Sequence, residues 1–357
     1  MIHDWSIRKH GPIQAGKCLC RRAVGEEEEM RAWQVTSWGE PEEMTLVDLP
    51  VEEPGPGEVR IRNRAIALNF FDLLLIAGKY QVKPPLPFTP GAEVAGIVEA
   101  VGPGGPEETR GLVPGMAVLA MPNRGGYAES TIAPVRMTFA LPEGMPFDVA
   151  AALPIVYQTS LFTLQERGQL RAGETLLVLA GTGGVGSAAV QLGKAMGATI
   201  LAAVGSEEKL AIARDLGADA AVNYSDPGWT DQIRSLTDGR GVDLVYDPVG
   251  GDFFDQATRC LAPGGRLLVV GFAAGRIPTV AVNRLLLRNT SVVGAYWGGH
   301  VERHPDYPAQ AQAEIFRLYQ AGHLRPRVFP AGGLAEAPQA LRQLAARQVT
   351  GKAILSL

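Results

Sequence analysis

Three glycines at a fixed spacing are the first residues of this sequence that point to a chemical task. They lie in AGTGGVGSAAVQLGKAMGATILAAVGSEEK, residues 180–209, where Gly181, Gly183 and Gly186 match the pattern GxGxxG. Glycines so spaced bring backbone N–H groups and a helix N-terminus up to a pyrophosphate without an intervening side chain. Because a chain with 43 glycines can match the pattern by chance, it indicates a dinucleotide site only between a buried strand and a helix.

Both flanking elements are predicted from the apolar pattern around the loop. TLLVLA is typical of a buried strand, and SAAVQLGKAMG has apolar positions at helical spacing. Amphipathic segments continue to alternate with five further strand-like runs: ATILAAV, ADAAVNY, GVDLVYD, RLLVVG and TSVVGAYW. Six strands with helical crossovers predict an α/β fold with a doubly wound parallel sheet. In that setting Gly181, Gly183, Gly184, Val185 and Gly186 would bind a dinucleotide; the alternative is a tight turn without a ligand.

The end of the second strand indicates which dinucleotide is bound. An NAD site usually places Asp or Glu here to accept from the ribose 2′-hydroxyl, but this chain has Gly205. Ser206 would bond a 2′-phosphate and Lys209 would supply a positive charge. We therefore expect NADPH rather than NADH, with Glu207 and Glu208 complementing the dipole of the following helix. Tyr224, after the third strand, would lie beside the adenosine or is an ordinary aromatic residue at a strand end.

Composition restricts the remaining function classes. The chain has 357 residues, 46% hydrophobic and 20% charged, which suits two soluble globular domains. Its formal charge of −4 gives no reason to expect nucleic acid or an anionic membrane as a partner. We find no apolar run long enough to span a bilayer.

The first 29 residues differ from the rest. They show no helical or strand period and end in a run of glutamates, which predicts a poorly ordered extension over 1–29. The apolar core of a signal peptide is missing, so the cytoplasm is the expected location. Cys18, Cys20 and Cys260 are too scattered for a disulfide framework, and we expect no metal site.

The regions on either side of the predicted sheet have their own patterns. Residues 30–155 are rich in strand-like alternation and in glycine and proline turns. After Trp297 the pattern returns to helices and ends in GKAILSL, a strand that would rejoin the first domain. His300 and His304 in GGHVERHP have the spacing of a metal-binding pair, but the flanking glycines and Pro305 favour a solvated loop.

Taken together, several segments resemble the medium-chain dehydrogenase/reductase superfamily in its zinc-independent, zeta-crystallin-like quinone oxidoreductase branch. They are ALNFFDLLLIAGKY, PFTPGAEVAGIVEAVG, AGTGGVGSAAVQLGKAMGA, VYDPVGG and VTGKAIL. The resemblance implies a GroES-like catalytic domain over 30–155, completed by 298–357, and a Rossmann NADPH-binding domain over 156–297. The active site would lie in the cleft between them.

The resemblance also implies roles for single residues. Asn69 would bond the nicotinamide ribose or a substrate oxygen, Tyr80 would line the acceptor site, Thr159 would contact the nicotinamide, and Arg347 would contact a nucleotide phosphate. Many relatives carry a tyrosine where this chain has Leu74, which puts one polar contact in doubt. From the sequence alone these positions equally suit a turn Asn, a core Tyr, a helix-start Thr and a surface Arg.

Zinc ligands can be checked against the sequence directly. Where zinc-dependent members carry the catalytic Cys and His, this chain has Asn69 and Ala92. Without a Lewis acid to polarise an alcohol, hydride must go to an acceptor that is already electron-poor. The resemblance thus implies NADPH-dependent reduction of a quinone, with the C=C bond of an enone or enoyl thioester as the alternative acceptor. An NADPH-binding protein with a structural or RNA-associated role is the alternative from another class.

One strand has a consequence for assembly. TSVVGAYW would be the last strand of the parallel sheet, and an apolar edge strand invites pairing with another chain. We therefore expect a homodimer.

Overall fold

The structure, a computed structural model, describes residues 28–357. The extension predicted over 1–29 and the cysteines Cys18 and Cys20 therefore lie outside the described residues, apart from residues 28 and 29. Within the described part of the chain, no helix is both long enough and apolar enough to cross a membrane.

Strands form where short apolar and β-branched runs alternate with glycine and proline turns. The strands are β1 (Glu29–Gln34), β2 (Thr45–Pro50), β3 (Glu58–Ala67), β4 (Val94–Val101), β5 (Ala117–Ala120), β6 (Ser130–Pro134), β7 (Thr138–Ala140), β8 (Thr175–Leu179), β9 (Thr199–Val204), β10 (Ala220–Asn223), β11 (Val242–Asp247), β12 (Leu261–Val269), β13 (Ser291–Gly294), β14 (Val328–Pro330) and β15 (Lys352–Ser356).

Helices occupy the segments with apolar residues at three- and four-residue spacing. The helices are α1 (Phe70–Ile76), α2 (Phe147–Ala151), α3 (Pro154–Phe162), α4 (Gly184–Ala195), α5 (Glu208–Asp215), α6 (Trp229–Ser235), α7 (Gly251–Ala257), α8 (Val282–Arg288), α9 (Trp297–Arg303), α10 (Tyr307–Gln320) and α11 (Ala337–Ala345).

The second half of the chain folds around a parallel sheet. Its strand order is β10-β9-β8-β11-β12-β13, and all the pairings are parallel. Along β8, Leu176 and Val178 pack into one core, whereas Leu177 and Leu179 pack into the other. Both faces are therefore covered, which confirms the predicted doubly wound α/β sheet.

The first half folds around a largely antiparallel sheet. Its order is β14-β15-β3-β4-β5-β7, with β6 pairing on β3. The C-terminal strand β15 pairs antiparallel with β3, placing Ile354 opposite Ala67. The prediction that the last strand rejoins the first domain is confirmed, and this pairing brings the end of the chain to the segment that begins with Leu68.

One sequence prediction about local structure is wrong. His300 lies within the helix α9, and His304 caps its end, whereas a solvated loop was expected around this pair. Positions 298 and 299 favour glycine, because Cβ atoms there would lie 3.1 and 2.6 Å from the ring of Tyr296. The ring of His300 packs 4.6 Å from that of Phe162, and the pair belongs to an aromatic cluster.

Candidate active site

A cleft of about 2310 Å³ lies where the two sheets meet. Residues of both halves of the chain line it, and all but one of the sequence-predicted site residues are among them. The lining includes Asn69, Tyr80, Thr159, Gly183, Gly184, Val185, Gly186, Ser206, Lys209, Tyr224 and Arg347. Gly181 is the exception: it lies beneath the loop, where a Cβ would be 2.9 Å from the side chain of Ala202.

The glycine loop joins β8 to α4 at one wall of the cleft. Gly183 caps α4, whose first residue is Gly184, so the free N–H groups of the first helical turn face the loop. A Cβ on Gly186 would lie 2.1 Å from the carbonyl oxygen of Ala180, so only glycine permits this close approach. The loop therefore has the geometry of a pyrophosphate site at a helix N-terminus.

Two cations meet at the carboxyl end of β9. The Nζ of Lys209 donates to the carbonyl oxygen of Arg347 at 2.7 Å. Burial and the neighbouring Arg347 guanidinium lower the pKa of Lys209. In the described part of the chain, neither residue takes part in an ion pair. This corner of the cleft thus has a positive charge that is free to meet an anion.

Gly205 leaves room beside these cations. A Cβ at this position would lie 3.2 Å from the hydroxyl of Tyr224, and the Tyr224 ring packs 4.4 Å from that of Phe253. A carboxylate here would therefore crowd the tyrosine. The acidic neighbours have partners: Glu207 accepts from Asn223 at 3.2 Å and Glu208 from Ser206 at 3.5 Å. The geometry fits a 2′-phosphate better than a bare ribose diol.

Asn69 lies at the other end of the cleft, in a buried polar network. Both polar atoms of its side-chain amide form hydrogen bonds. Nδ2 donates to Oε2 of Glu93 at 2.8 Å, and Oδ1 accepts from Nζ of Lys352 at 2.6 Å. The Lys352 ammonium also donates to Oε2 of Glu93 at 2.7 Å and to the carbonyl oxygen of Leu68 at 3.0 Å. The other oxygen of Glu93 accepts from the backbone N–H of Ile155 at 2.5 Å.

Lys352 is the site residue that the sequence analysis missed. Only 4% of it is exposed, and its ion-pair partner Glu93 is fully buried. The sequence does carry a signal for it, since a lysine that opens an otherwise apolar terminal strand needs a buried partner. That partner lies 259 positions away, and no local pattern could identify it.

A second buried carboxylate, that of Asp72, holds the turn at Asn69 by a hydrogen bond to its backbone. Asp72 is fully buried, and its Oδ2 accepts from the Asn69 backbone N–H and from the Tyr127 hydroxyl, both at 2.8 Å. Burial raises the pKa of Asp72 to about 6, against the opposing effect of those hydrogen bonds. Its other oxygen, Oδ1, is buried and has no hydrogen-bond partner among residues 28–357. Asp72 thus shapes the start of α1 through its hydrogen bond to the Asn69 backbone.

Aromatic and apolar side chains form the remaining wall near Asn69. The ring of Tyr80 stacks on that of Phe71 with centroids 5.6 Å apart and planes at 30°. Leu74 also lines the cleft and contributes an apolar side chain there. Thr159, on α3, borders the same space. This end of the cleft can hold a flat, largely apolar molecule beside a few polar groups.

The two positions that the sequence marked as vacated zinc-ligand positions also line this end. They are Asn69 and Ala92. Within residues 28–357 there is no group of three or more His, Cys, Asp or Glu side chains that could hold a metal ion.

Comparison with known proteins identifies both halves of the chain. Residues 55–143 match the alcohol dehydrogenase GroES-like domain, and residues 184–314 match the zinc-binding dehydrogenase domain. The quinone oxidoreductase of Pseudomonas aeruginosa is 37% identical, covering 90% of this chain and 98% of its own length. The quinone oxidoreductase-like protein 2 of Rattus norvegicus is 35% identical, covering 95% of this chain and 96% of its own length. A mycobacterial protein solved in complex with NADPH is 33% identical with a TM-score of 0.85, covering 92% of this chain and 100% of its own.

Proposed function

The chain belongs to the quinone oxidoreductase family of the medium-chain dehydrogenase/reductase superfamily, and from this premise we propose that it reduces a quinone or similar electron-poor acceptor with NADPH, without zinc. One observation carries the proposal. A single cleft joins the glycine loop and the free cations Lys209 and Arg347 to a polar end around Asn69. Residues of one cleft could thus hold a phosphorylated dinucleotide and a second molecule side by side.

Cofactor preference follows from the cationic corner. Lys209 and Arg347 would bind the 2′-phosphate, while Gly205 leaves space for it next to Tyr224. The α4 N-terminus would bind the pyrophosphate. The mycobacterial neighbour was solved in complex with NADPH, which agrees with this assignment.

The acceptor end supplies positioning rather than covalent chemistry. When bound, NADPH would supply the hydride, and the reduced quinone needs one further proton. The amide of Asn69 would donate to the acceptor oxygen as negative charge develops there. Phe71, Tyr80 and Leu74 would exclude water and hold a planar ring, and the Tyr80 hydroxyl or a water molecule would supply the proton.

Independence from zinc rests on the chemistry of the side chains. Asn69 is a weak metal ligand and Ala92 is none, whereas catalytic zinc needs three protein ligands of the His, Cys or carboxylate type. The nearby carboxylate Glu93 is already paired with an ammonium, Lys352. An acceptor that needs no Lewis acid, such as a quinone, matches this end of the cleft better than an alcohol.

An acceptor panel tests the proposal. The purified full-length protein is assayed for oxidation of NADPH with 1,4-benzoquinone, a simple enone and an enoyl thioester. Turnover with the quinone at the highest kcat/KM supports the proposal, and preference for the enone or thioester would shift it to C=C reduction. Tight binding of NADPH without turnover of any acceptor would favour a structural or RNA-associated binding role.

We also propose that the protein is a homodimer joined at the edge of the parallel sheet. β13 is the outer strand of that sheet, and the preceding helix α8 has no buried residue. Three of its apolar side chains are widely exposed: Val282 at 76%, Leu286 at 76% and Leu287 at 79%. An apolar helix beside a strand edge that pairs with no other strand of residues 28–357 is best covered by the same surface of a second copy.

A further inference from the structure

Every hydrogen of the Lys352 ammonium is used inside the protein. The three acceptors are the carbonyl oxygen of Leu68 at 3.0 Å, Oδ1 of Asn69 at 2.6 Å and Oε2 of Glu93 at 2.7 Å. An ammonium has three donors and no acceptor. Lys352 therefore has no hydrogen left for a substrate, and any contribution to the reaction passes through its neighbours.

Of these three neighbours, Asn69 is the most exposed, and it lines the cleft. Two charged groups determine the orientation of its amide. Lys352 can only donate, so it must face Oδ1; the Glu93 carboxylate accepts, so it faces Nδ2. Flipping the amide would oppose N–H to ammonium and oxygen to carboxylate at distances below 3 Å. The second hydrogen of Nδ2 has no partner within residues 28–357. Because Asn69 lines the cleft, this hydrogen is available to a molecule bound there.

The same short segment also contacts the cofactor end of the cleft. The N–H of Gly351 donates to the carbonyl oxygen of Thr182 in the glycine loop at 2.8 Å. The stem of Lys352 passes 3.4 Å from where a Cβ on Gly184 would lie. One strand start therefore touches the glycine loop with its backbone and stem, and Asn69 with its ammonium.

We propose that Lys352 is a positioning residue that locks the Asn69 amide with an Nδ2 hydrogen directed at the acceptor. This role rests on the proposed function: Asn69 makes the catalytic contact, and the buried Lys352–Glu93 pair sets the orientation of the Asn69 amide. Without Lys352 the amide would present oxygen to the acceptor for part of the time. An oxygen placed there would repel the developing negative charge instead of stabilising it.

The test uses variants that avoid leaving a buried charge alone. Lys352→Met by itself would leave the Glu93 carboxylate buried and unpaired, which destabilises the fold, so Lys352→Met/Glu93→Gln is made instead. Lys194→Met, at a surface ion pair with Asp219 that is half-exposed, is the matched lysine control. We expect kcat/KM for the quinone to fall about tenfold or more in the double variant, with the Kd for NADPH within about twofold of wild type.

A double-mutant cycle shows whether Lys352 acts through Asn69. If it does, the same two substitutions in an Asn69→Ala background should change kcat/KM by less than about twofold. An equal loss in that background would overturn the proposal, because Lys352 would then act without the amide. A loss in NADPH affinity as large as the loss in kcat/KM would also overturn it, since the residue would then serve the cofactor loop.

A spectroscopic readout separates this inference from the proposed function. In full-length protein labelled with ¹⁵N-asparagine and free of cofactor, Asn69→Ala assigns the side-chain resonance of Asn69. We expect Lys352→Met/Glu93→Gln to shift that resonance or split it into two exchanging states, and Lys194→Met to leave it in place. An unmoved resonance would overturn the positioning role even in an active enzyme. If wild type reduces no acceptor, the proposed function fails while the resonance still decides the orientation.

Discussion

The ammonium of Lys209 lies 2.7 Å from the carbonyl oxygen of Arg347, which ties the helix after β9 to the turn before β15. The residue pair spans 138 positions of sequence and brings two cations to one corner of the cleft. Neither is neutralised by a carboxylate partner in the described part of the chain. On the proposed function, this corner is where the enzyme would distinguish the 2′-phosphate of the cofactor from a hydroxyl.

Lys209→Ala should raise KM for NADPH and leave KM for NADH nearly unchanged. The lost contact is charge-assisted and is worth roughly 1.5 to 3 kcal/mol, or about tenfold or more in affinity. Steady-state kinetics with both cofactors measure the effect, with Lys194→Ala as a surface control. Equal losses with the two cofactors would show that Lys209 supports the fold of the corner rather than the 2′-phosphate.

Asn69→Ala should lower kcat/KM for a quinone, because the amide would donate to the developing oxyanion. The expected loss of transition-state stabilisation is about 1 to 3 kcal/mol. NADPH binding, followed by quenching of protein fluorescence, should change little. A variant with unaltered kcat/KM would indicate that the residue only shapes the turn before α1.

Asp72 should make stability depend on pH in a defined direction. Its folded pKa of about 6 lies above the ordinary value of 3.8, so the folded state binds more protons than the unfolded state between these values. The contribution of Asp72 is therefore most favourable below about pH 4 and is lost as the pH rises through 6.

Asp72→Asn removes this titration, so comparison with wild type isolates it. The free energy of unfolding of the variant, minus that of wild type, should increase by up to about 3 kcal/mol between pH 4 and pH 7.5. Urea unfolding at the two pH values measures the difference. A difference that stays constant with pH would mean that the Asp72 carboxyl titrates normally.

The proposed dimer predicts that a charge on α8 separates the copies. Leu286→Glu/Leu287→Glu should give the monomer mass in light scattering at micromolar concentration, where wild type gives twice that mass. Since both side chains are exposed, thermal stability of the separated chain should fall only by the lost association. A monomeric wild type would contradict the proposal, as would a dimer that survives the substitutions.

The sequence was sufficient for the elements whose signals are local. The glycine loop, the six parallel strands and the edge position of β13 follow from apolar period and turn residues over a few positions. The acceptor end was only partly accessible in this way. Asn69 was found through resemblance, while its contact with Lys352 joins residues 283 positions apart and depends on the pairing of β15 with β3.

The error at α9 has a similarly physical origin. Two glycines and a following proline usually indicate a loop. Here the proline lies beyond the last helical turn, where it breaks no hydrogen bond. The ring of Tyr296 packs closely against the two glycines, which have no side chain to obstruct it. The packing of His300 on Phe162 is a tertiary contact that stabilises the helix and has no local signature.

The central proposal is metal-free hydride transfer from NADPH to a quinone, and one measurement tests it most directly. The full-length protein is dialysed exhaustively against a chelator, its zinc content is determined, and kcat/KM for 1,4-benzoquinone with NADPH is measured before and after. We expect no stoichiometric zinc and an unchanged kcat/KM, with an alcohol and NADP⁺ giving no reaction. Loss of quinone reduction on chelation, restored by added zinc, would contradict it.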